Sequence, residues 1–251
     1  GAHELEIVFT SGGSEANNMV IQGVFNAIKT GKKLQVEDHV RNEYIYSAVE
    51  HPSVVKTMEF LERLGAVIHK VPVNRNGELD IKTYESLLSD KTALVSIMYA
   101  NNETGNVFPI KKLSQMAHDK GALFHCDAVQ VLGKCSFDVK DWDVDYASFS
   151  AHKFYSLKGC GIMYSRKGNT FESLIQGGAQ ERSRRAGTEN TLAIAAFGEM
   201  AKQKDLVSGF YEKVQTQRDA MEKKILETIS GVTVTGGESK RIPNTSSFVI
   251  A

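Results

Sequence analysis

The sequence is poor in cysteine and proline and has no excess of charge of either sign. Of 251 residues, three are cysteine and four are proline, and 30 basic residues balance 30 acidic ones. Three cysteines without a CxxC spacing argue against a disulfide framework and against a structural zinc site, so no metal is expected. Balanced charge without a basic stripe makes nucleic acid an improbable partner.

Long apolar runs are also missing. No stretch is long enough for a membrane helix, and no charged segment followed by an apolar one indicates a signal peptide. The sparse, odd set of cysteines suits a reducing compartment. We therefore expect a cytoplasmic protein without membrane contact.

Strand-like and helix-like segments alternate along the chain. Helices are predicted to begin near Ser14 and Pro52 and to span residues 109–120. Strands are predicted at residues 5–10, 44–47, 67–71, 93–98, 122–126, 146–150 and 161–164. This alternation predicts an α/β fold with a mostly parallel sheet and helices on both faces.

The last sixty residues have a different pattern. Residues 191–229 show apolar residues at helical spacing, which predicts one or two long helices broken near Ser208 and Gly209. Strand-like segments follow at 232–235 and 247–250. We expect residues 1–230 to form one large domain with its connecting helices, and residues 231–251 to begin a smaller, truncated domain.

Several polar clusters follow apolar strands. In Thr10-Ser11-Gly12-Gly13-Ser14, two glycines precede a helix for which Ser14 is a plausible N-cap. Free N–H groups at a helix start favour an anion such as phosphate, although a capped helix after a turn explains the pattern equally well. The cluster lacks the Gly-Lys-Ser/Thr of a Walker A loop.

Lys153, Asp127 and His51 follow three other strands. Carboxyl ends of strands are where open α/β sheets bind ligands. Lys153 there is suited to a Schiff base with an aldehyde cofactor, and Asp127 to a pyridine nitrogen. Gln130, one turn after Asp127, is placed to reach a phenolic oxygen. An imidazole such as His51 stacks on rings and moves protons.

Each of these residues also has a simpler explanation. Lys153 suits a solvated loop, Asp127 a helix cap, and His51 a structural role. Ser150 and His152 either donate to a phosphate or are polar loop residues, and the basic segment 180–190 is either an anion site or a solvated loop. Together, however, the clusters have the residue types that one phosphorylated pyridine aldehyde requires.

At these motifs the sequence resembles the class V aminotransferase group, and within it the cysteine desulfurases of the NifS/IscS type. The matching stretches are TSGGSEANN, VEHPSV, NNETG, HCDAVQ, SFSAHK and RRAGTEN. The resemblance implies the large domain of a fold-type I, pyridoxal-phosphate-dependent transferase with a seven-stranded type of sheet. It also implies conversion of L-cysteine to L-alanine, with the sulfur passed to an enzyme persulfide for iron–sulfur cluster or thio-cofactor assembly.

The resemblance also implies roles for ten residues. Lys153 would form the Schiff base and, with His51, would transfer protons. Asp127 would bind the pyridine nitrogen, Gln130 the phenolic oxygen, and Asn102 would lie near substrate and ring. The phosphate would be bound by Gly13, Ser14, Ser150 and His152, and by Thr188 from the other subunit of a homodimer. A sulfur-acceptor or scaffold protein is the implied partner.

Two features of the family are missing. The N-terminal segment is absent, and so is the small domain that carries the sulfur-accepting cysteine and the arginine for the substrate carboxylate, unless Arg182 or Arg185 substitutes for that arginine. Cys126, Cys135 and Cys160 match no acceptor and are expected to be structural. Alternatives are a selenocysteine lyase, another class V aminotransferase-like enzyme, or a catalytically incomplete fragment that binds the cofactor.

Overall fold

The computed structural model describes residues 1–31 and 41–251. The strands are β1 Ile7–Thr10, β2 Glu43–Ser47, β3 Val67–Val71, β4 Thr92–Ser96, β5 Leu123–Asp127, β6 Tyr146–Ser150, β7 Gly161–Ser165, β8 Val232–Val234 and β9 Phe248–Ile250. The α-helices are α1 Gly13–Lys29, α2 Pro52–Arg63, α3 Ile81–Leu87, α4 Ile110–His118, α5 Gln180–Ser183, α6 Thr191–Lys202 and α7 Lys204–Thr228.

Seven strands form one sheet, in the order β1-β7-β6-β5-β4-β2-β3. The pairs β2–β3, β2–β4, β4–β5 and β5–β6 are parallel, whereas β7 is antiparallel to both of its neighbours. Six strands therefore end at the same edge of the sheet, and β7 begins there. Gly161 at the start of β7 pairs with Thr10 on one side and Ser150 on the other.

The helices cover both faces of the sheet, as the sequence predicts. Alternation along β2 shows the arrangement, because Tyr44 and Tyr46 belong to a core with α1 and α2, while Ile45 belongs to a core with α3 and α4. Side chains of successive strand residues point to opposite faces. Parallel strands buried on both faces explain why these segments are continuous apolar runs.

Three local predictions were wrong. The break in the final helices is at Gln203 and not at Ser208 and Gly209, because α7 continues through Gly209 with Val207 and Tyr211 buried on either side. Residues 4–6 form a 3-10 helix rather than the start of β1. Helix α3 was missed, although Asp80 caps it by accepting a hydrogen bond from the Thr83 N–H.

Residues 231–251 form a small antiparallel pair, β8 and β9. The segment between these strands returns to the large sheet's core, where Ile242 is 1% exposed and its N–H donates to Gly105 O at 2.8 Å. The division of the chain at residue 230 stays a prediction. Within residues 1–31 and 41–251, no helix has the length and apolarity to cross a membrane.

Candidate active site

Nine of the ten predicted site residues line one cavity of about 230 Å³ at the carboxyl ends of the strands. They are Gly13, Ser14, His51, Asn102, Asp127, Gln130, Ser150, His152 and Lys153. Asn17, Met98, Ala100 and Val129 complete the lining. Residues from five separated segments of sequence thus meet at the edge where ligands bind in open α/β sheets.

The first wall is the start of α1. The helix begins at Gly13 with Gly12 as its N-cap and no side-chain cap, so the prediction that Ser14 is the N-cap was wrong. A Cβ on Gly13 would lie 2.6 Å from Cγ2 of Val129, so a larger residue would displace the wall of the cavity. The uncapped first turn of a 17-residue helix leaves N–H groups and a positive dipole end for an anion.

A second, adjacent wall is the end of β6 and the 3-10 helix Ala151–Phe154. Ser150 is 1% exposed, and its hydroxyl lies 2.9 Å from Nδ1 of His152. Burial, with the charges of Lys153 and Lys158, lowers the pKa of His152, which favours a neutral ring. Lys153 is exposed to the cavity, and its Nζ has no hydrogen-bond partner among the described residues. It is an amine that is accessible to a carbonyl compound.

Asp127 ends β5 at the floor of the cavity. Oδ1 accepts a hydrogen bond from the Val129 N–H at 3.0 Å, and Oδ2 accepts one from Nδ2 of Asn17 at 2.7 Å. Burial raises the pKa of Asp127, although both hydrogen bonds oppose that shift. A buried carboxylate with this environment is stabilised by a positive partner, such as a protonated pyridine nitrogen.

His51 is connected to Asp127 by hydrogen bonds. Asn17 Nδ2 donates to Asp127 and to Oγ of Ser53, at 2.9 Å, and that Oγ lies 2.8 Å from Nδ1 of His51. The Ser53 backbone N–H also donates to Nδ1, at 3.1 Å. Since a backbone N–H can only donate, Nδ1 is an acceptor, and the neutral ring carries its proton on Nε2.

The two asparagines of the NNETG segment have different positions: Asn101 lies within the turn, and Asn102 lines the cavity. Asn101 is buried, and its Oδ1 accepts hydrogen bonds from the N–H groups of Glu103 and Thr104, which stabilises the turn. Asn102 lines the cavity. Gly105 closes the turn at φ +82°, a left-handed conformation that favours glycine.

Thr188 is the predicted site residue that lies outside this cavity. It is exposed and lines a different pocket with Thr10, Ser11 and Gly159. The neighbouring arginines are bound elsewhere in the fold. Arg185 pairs with both oxygens of Glu15, at 2.8 and 3.1 Å, and Arg184 donates to two backbone carbonyls of residues 5 and 7. The Arg185 guanidinium is therefore not available to a substrate carboxylate.

All three cysteines lie away from the cavity. Cys126 and Cys160 are buried, and Cys135 is half-buried. Burial raises the pKa of each thiol. Cys126 packs in the core on the α3 and α4 side, opposite to Asp127, as strand alternation predicts. Across residues 1–31 and 41–251, no group of three or more His, Cys, Asp or Glu is arranged to hold a metal.

Glu50 is a buried acid directly before His51. It is 7% exposed, and its Oε1 accepts from Oγ of Ser47 at 2.5 Å and from the Met98 N–H at 2.8 Å. Burial raises the pKa of Glu50 from 4.5 to about 8, against the effect of these two hydrogen bonds. The carboxyl therefore holds a proton at neutral pH and connects the end of β2 to a residue of the cavity wall.

We expect Glu50→Gln to reduce the pH dependence of stability. The unfolded chain loses this proton near pH 4.5 and the folded chain near pH 8, so the stability that Glu50 contributes is present below 4.5 and is lost as the pH rises to about 8. The amide keeps the acceptor and does not titrate. Urea unfolding at pH 5, 6, 7 and 8 measures how steeply the free energy of unfolding changes with pH.

Glu62→Gln is the matched control, because Glu62 is exposed on α2. Its stability should follow the wild-type pH profile. If Glu50→Gln and wild type lose stability equally between pH 5 and pH 8, the buried carboxyl is not protonated in the folded state.

Sequence reasoning missed three residues around the cavity: Asn17, Glu50 and Ser53. Spacing was the available signal for Asn17, because it lies four residues after Gly13 and hence on the same side of α1. Ser53 lies two residues after His51, a spacing at which the side chain of an N-cap residue commonly accepts a hydrogen bond from a backbone N–H of the helix. The protonated state of Glu50 depends on its burial, which could not be predicted from the neighbouring residues in the sequence.

Comparison with known proteins agrees with this geometry. The chain is 46% identical over 245 residues to a cysteine desulfurase of Sinorhizobium fredii, covering 97% of this chain and 61% of that protein. It is 41% identical over 248 residues to the cysteine desulfurase NifS of Azotobacter vinelandii, covering 98% and 59%. A solved NifS-like protein superposes with a TM-score of 0.91 at 32% identity, covering 99% of this chain and 66% of that one.

The chain spans about 60% of the length of the curated relatives it matches. Its sheet has the architecture of the NifS-like fold-type I enzymes, as the sequence predicts. The family model for class V aminotransferases matches residues 1–251. The chain therefore belongs to the class V aminotransferase family.

Proposed function

We propose that the protein is a cysteine desulfurase that converts L-cysteine to L-alanine. One observation carries the proposal: residues from five separated motifs line a single cavity, in a chain 41–46% identical to proteins named cysteine desulfurase. Selenocysteine lyase activity has no feature of the cavity in its favour.

Members of this family use pyridoxal 5'-phosphate, and the cavity fits that group. It has a helix start without a side-chain cap for the phosphate, a buried carboxylate for a protonated ring nitrogen, and an amine for the aldehyde. Asn17 Oδ1 is buried there without a partner in the described structure. Gly13, Ser14, Ser150 and His152 would hold the phosphate, Asp127 and Gln130 the ring, and Lys153 the aldehyde carbon.

The bound cofactor withdraws electrons from the carbon skeleton of an amino acid. The chain's residues then position groups and move protons. The Lys153 amine would take and return a proton, and His51, whose neutral ring carries its proton on Nε2, would donate one. Asn102 would contact the substrate.

Sulfur transfer needs a thiolate close to the substrate. The sulfur leaves Cβ of cysteine and joins that thiolate as a persulfide, while Cβ takes a proton and gives alanine. Among the described residues 1–31 and 41–251, no cysteine and no arginine lines the cavity. The acceptor and the carboxylate-binding arginine therefore come from elsewhere in the protein, and the persulfide passes sulfur to an acceptor or scaffold protein for iron–sulfur or thio-cofactor assembly.

The assembly would be a homodimer in the cytoplasm. Thr188 supports the dimer, because it is exposed outside its own chain's cavity and is free to contact a cofactor phosphate in a partner subunit. Three free cysteines suit a reducing compartment.

A polypeptide of residues 1–251 alone should not sustain cysteine desulfuration. In its described residues no thiol lines the cavity, Arg182 lies outside it, and Arg185 is paired with Glu15, so the substrate has neither acceptor nor carboxylate clamp. Orientation by such contacts is worth several kcal/mol of barrier. Alanine formed from cysteine, measured over many turnovers, is compared between this polypeptide and one extended at both ends to the length of its relatives.

The extended protein should turn over, and the short form should give no more alanine than the cofactor alone. Both are first checked for cofactor binding by visible absorbance, which separates a folding failure from a chemical one. Sustained turnover by residues 1–251 would place the acceptor among Cys126, Cys135 and Cys160, whereas an extended protein without turnover would refute the proposed activity.

A further inference from the structure

The side chain of Gln130 is hydrogen-bonded to Lys134, a lysine that does not line the cavity. Nζ of Lys134 donates to Oε1 of Gln130 at 2.5 Å, from four residues further along the chain. Gln130 lines the candidate active site. Lys134 instead lines a second cavity, together with Cys135 and Tyr211. The hydrogen bond to the amide is therefore the contact by which Lys134 reaches the lining of the site.

The chemistry of the pair fixes the orientation of the amide. An ammonium group has three donors and no acceptor, so it binds the oxygen of the Gln130 amide and not the nitrogen. The two ends of a glutamine amide have nearly the same shape, and their hydrogen bonds decide which end points where. With Oε1 on Lys134, the Nε2 donors face away from that lysine.

The charge state of Lys134 is compatible with this arrangement at neutral pH. Burial, with a contribution from the positive charge of Lys153, lowers the pKa of Lys134 to about 8. At pH 7 the group is still mostly an ammonium ion and has only donors. The half-buried position also limits competition from water for the Gln130 oxygen.

We propose that Lys134 is a positioning residue that fixes the Gln130 amide with its N–H groups directed at the cofactor's phenolic oxygen. The inference rests on the proposed function, in which Gln130 binds that oxygen. Lys134 makes no contact with the cofactor. Its effect on cofactor affinity passes through Gln130 and disappears when Gln130 is removed.

A double-mutant cycle at pH 7 tests the coupling. The dissociation constant for pyridoxal phosphate is measured by equilibrium dialysis for wild type, Lys134→Met, Gln130→Ala and the double variant of the intact protein. Loss of one hydrogen bond to an oxygen anion weakens binding by about tenfold. We expect each single variant to show about this loss, and the double variant to bind no more weakly than Gln130→Ala.

Two further variants separate positioning from general stability. Lys134→Arg keeps a cation with donors only and should restore most of the affinity. Gln130→Glu keeps the bond to Lys134 but presents an oxygen to the cavity, so it should weaken cofactor binding at least as much as Gln130→Ala without lowering the melting temperature. Lys140→Met, at an exposed lysine, is the control and should match wild type.

The outcomes are distinguishable. Wild-type affinity in Lys134→Met or in Gln130→Glu overturns the positioning role, as does a double variant whose loss is the sum of the two single losses. Should Lys134→Met not fold, Gln130→Glu and Lys134→Arg still decide the question. If Gln130→Ala itself binds the cofactor normally, the failure lies in the role assigned to Gln130 under the proposed function and not in its orientation by Lys134.

Discussion

Replacing Lys153 by alanine should abolish the Schiff-base absorption band of the cofactor-loaded protein and its turnover. Lys153 follows β6, lines the cavity and has no hydrogen-bond partner among the described residues. It is the amine for which a covalent bond to the aldehyde is proposed. Loss of both the covalent link and proton transfer should lower the rate on the order of 10⁴-fold or more.

Lys112→Ala is the matched control, because Lys112 is exposed on α4 and lies outside the cavity. It should keep both absorbance and activity. Borohydride reduction followed by peptide mapping identifies the modified lysine directly. The assignment is wrong if the label appears on Lys134, whose pKa is lowered by burial and by the charge of Lys153, or if Lys153→Ala keeps the absorption band.

Replacing Asp127 by alanine should weaken cofactor binding by roughly tenfold to a hundredfold and lower turnover further. A charge-assisted hydrogen bond to a ring nitrogen contributes about 1.5–3 kcal/mol. Without that carboxylate the ring nitrogen is not kept protonated, and the cofactor withdraws electrons less effectively. Dissociation constants and alanine formation are measured in parallel for the variant and wild type.

Stability in the absence of cofactor separates this role from a structural one. Burial raises the pKa of Asp127, so the ionised carboxylate destabilises the folded protein when no cation is next to it. Its removal leaves one donor of buried Asn17 and the Val129 N–H without their acceptor, which opposes that gain. We expect little net change in the free energy of unfolding.

Asp119→Ala, at an exposed aspartate after α4, controls for the loss of a carboxylate as such. It should bind cofactor like wild type. An Asp127→Ala protein with wild-type turnover would refute the ring-nitrogen role, and one that is unfolded without cofactor would show that the carboxylate is needed for the fold.

The sequence predicts most of the sheet and of the cavity because both follow local rules. Apolar runs bounded by glycine and polar residues locate the strands, and polar residues after parallel strands must meet at one edge. For this reason Asp127 and Lys153, 26 positions apart by number, could be placed together before the fold was known.

Side-chain orientation could not be predicted in the same way. The tautomer of His51, the proton on Glu50 and the amide direction of Gln130 each depend on a neighbour's donor or on burial. The break at Gln203 also depends on tertiary packing, because buried neighbours stabilise the helix through Gly209 despite the low helix propensity of glycine.

The direction of β7 has a consequence for how the protein tolerates change. Gly161 pairs with both Thr10 and Ser150, and a Cβ there would lie 2.6 Å from Gly12 and 2.8 Å from Phe149 O. One strand therefore lies between β1, which leads to Gly13 and Ser14, and β6, which leads to the loop that carries the amine. The separation of β1 and β6, two inter-strand distances or roughly 9.5 Å, is set by backbone pairing, so changes in the loop sequences leave it unchanged.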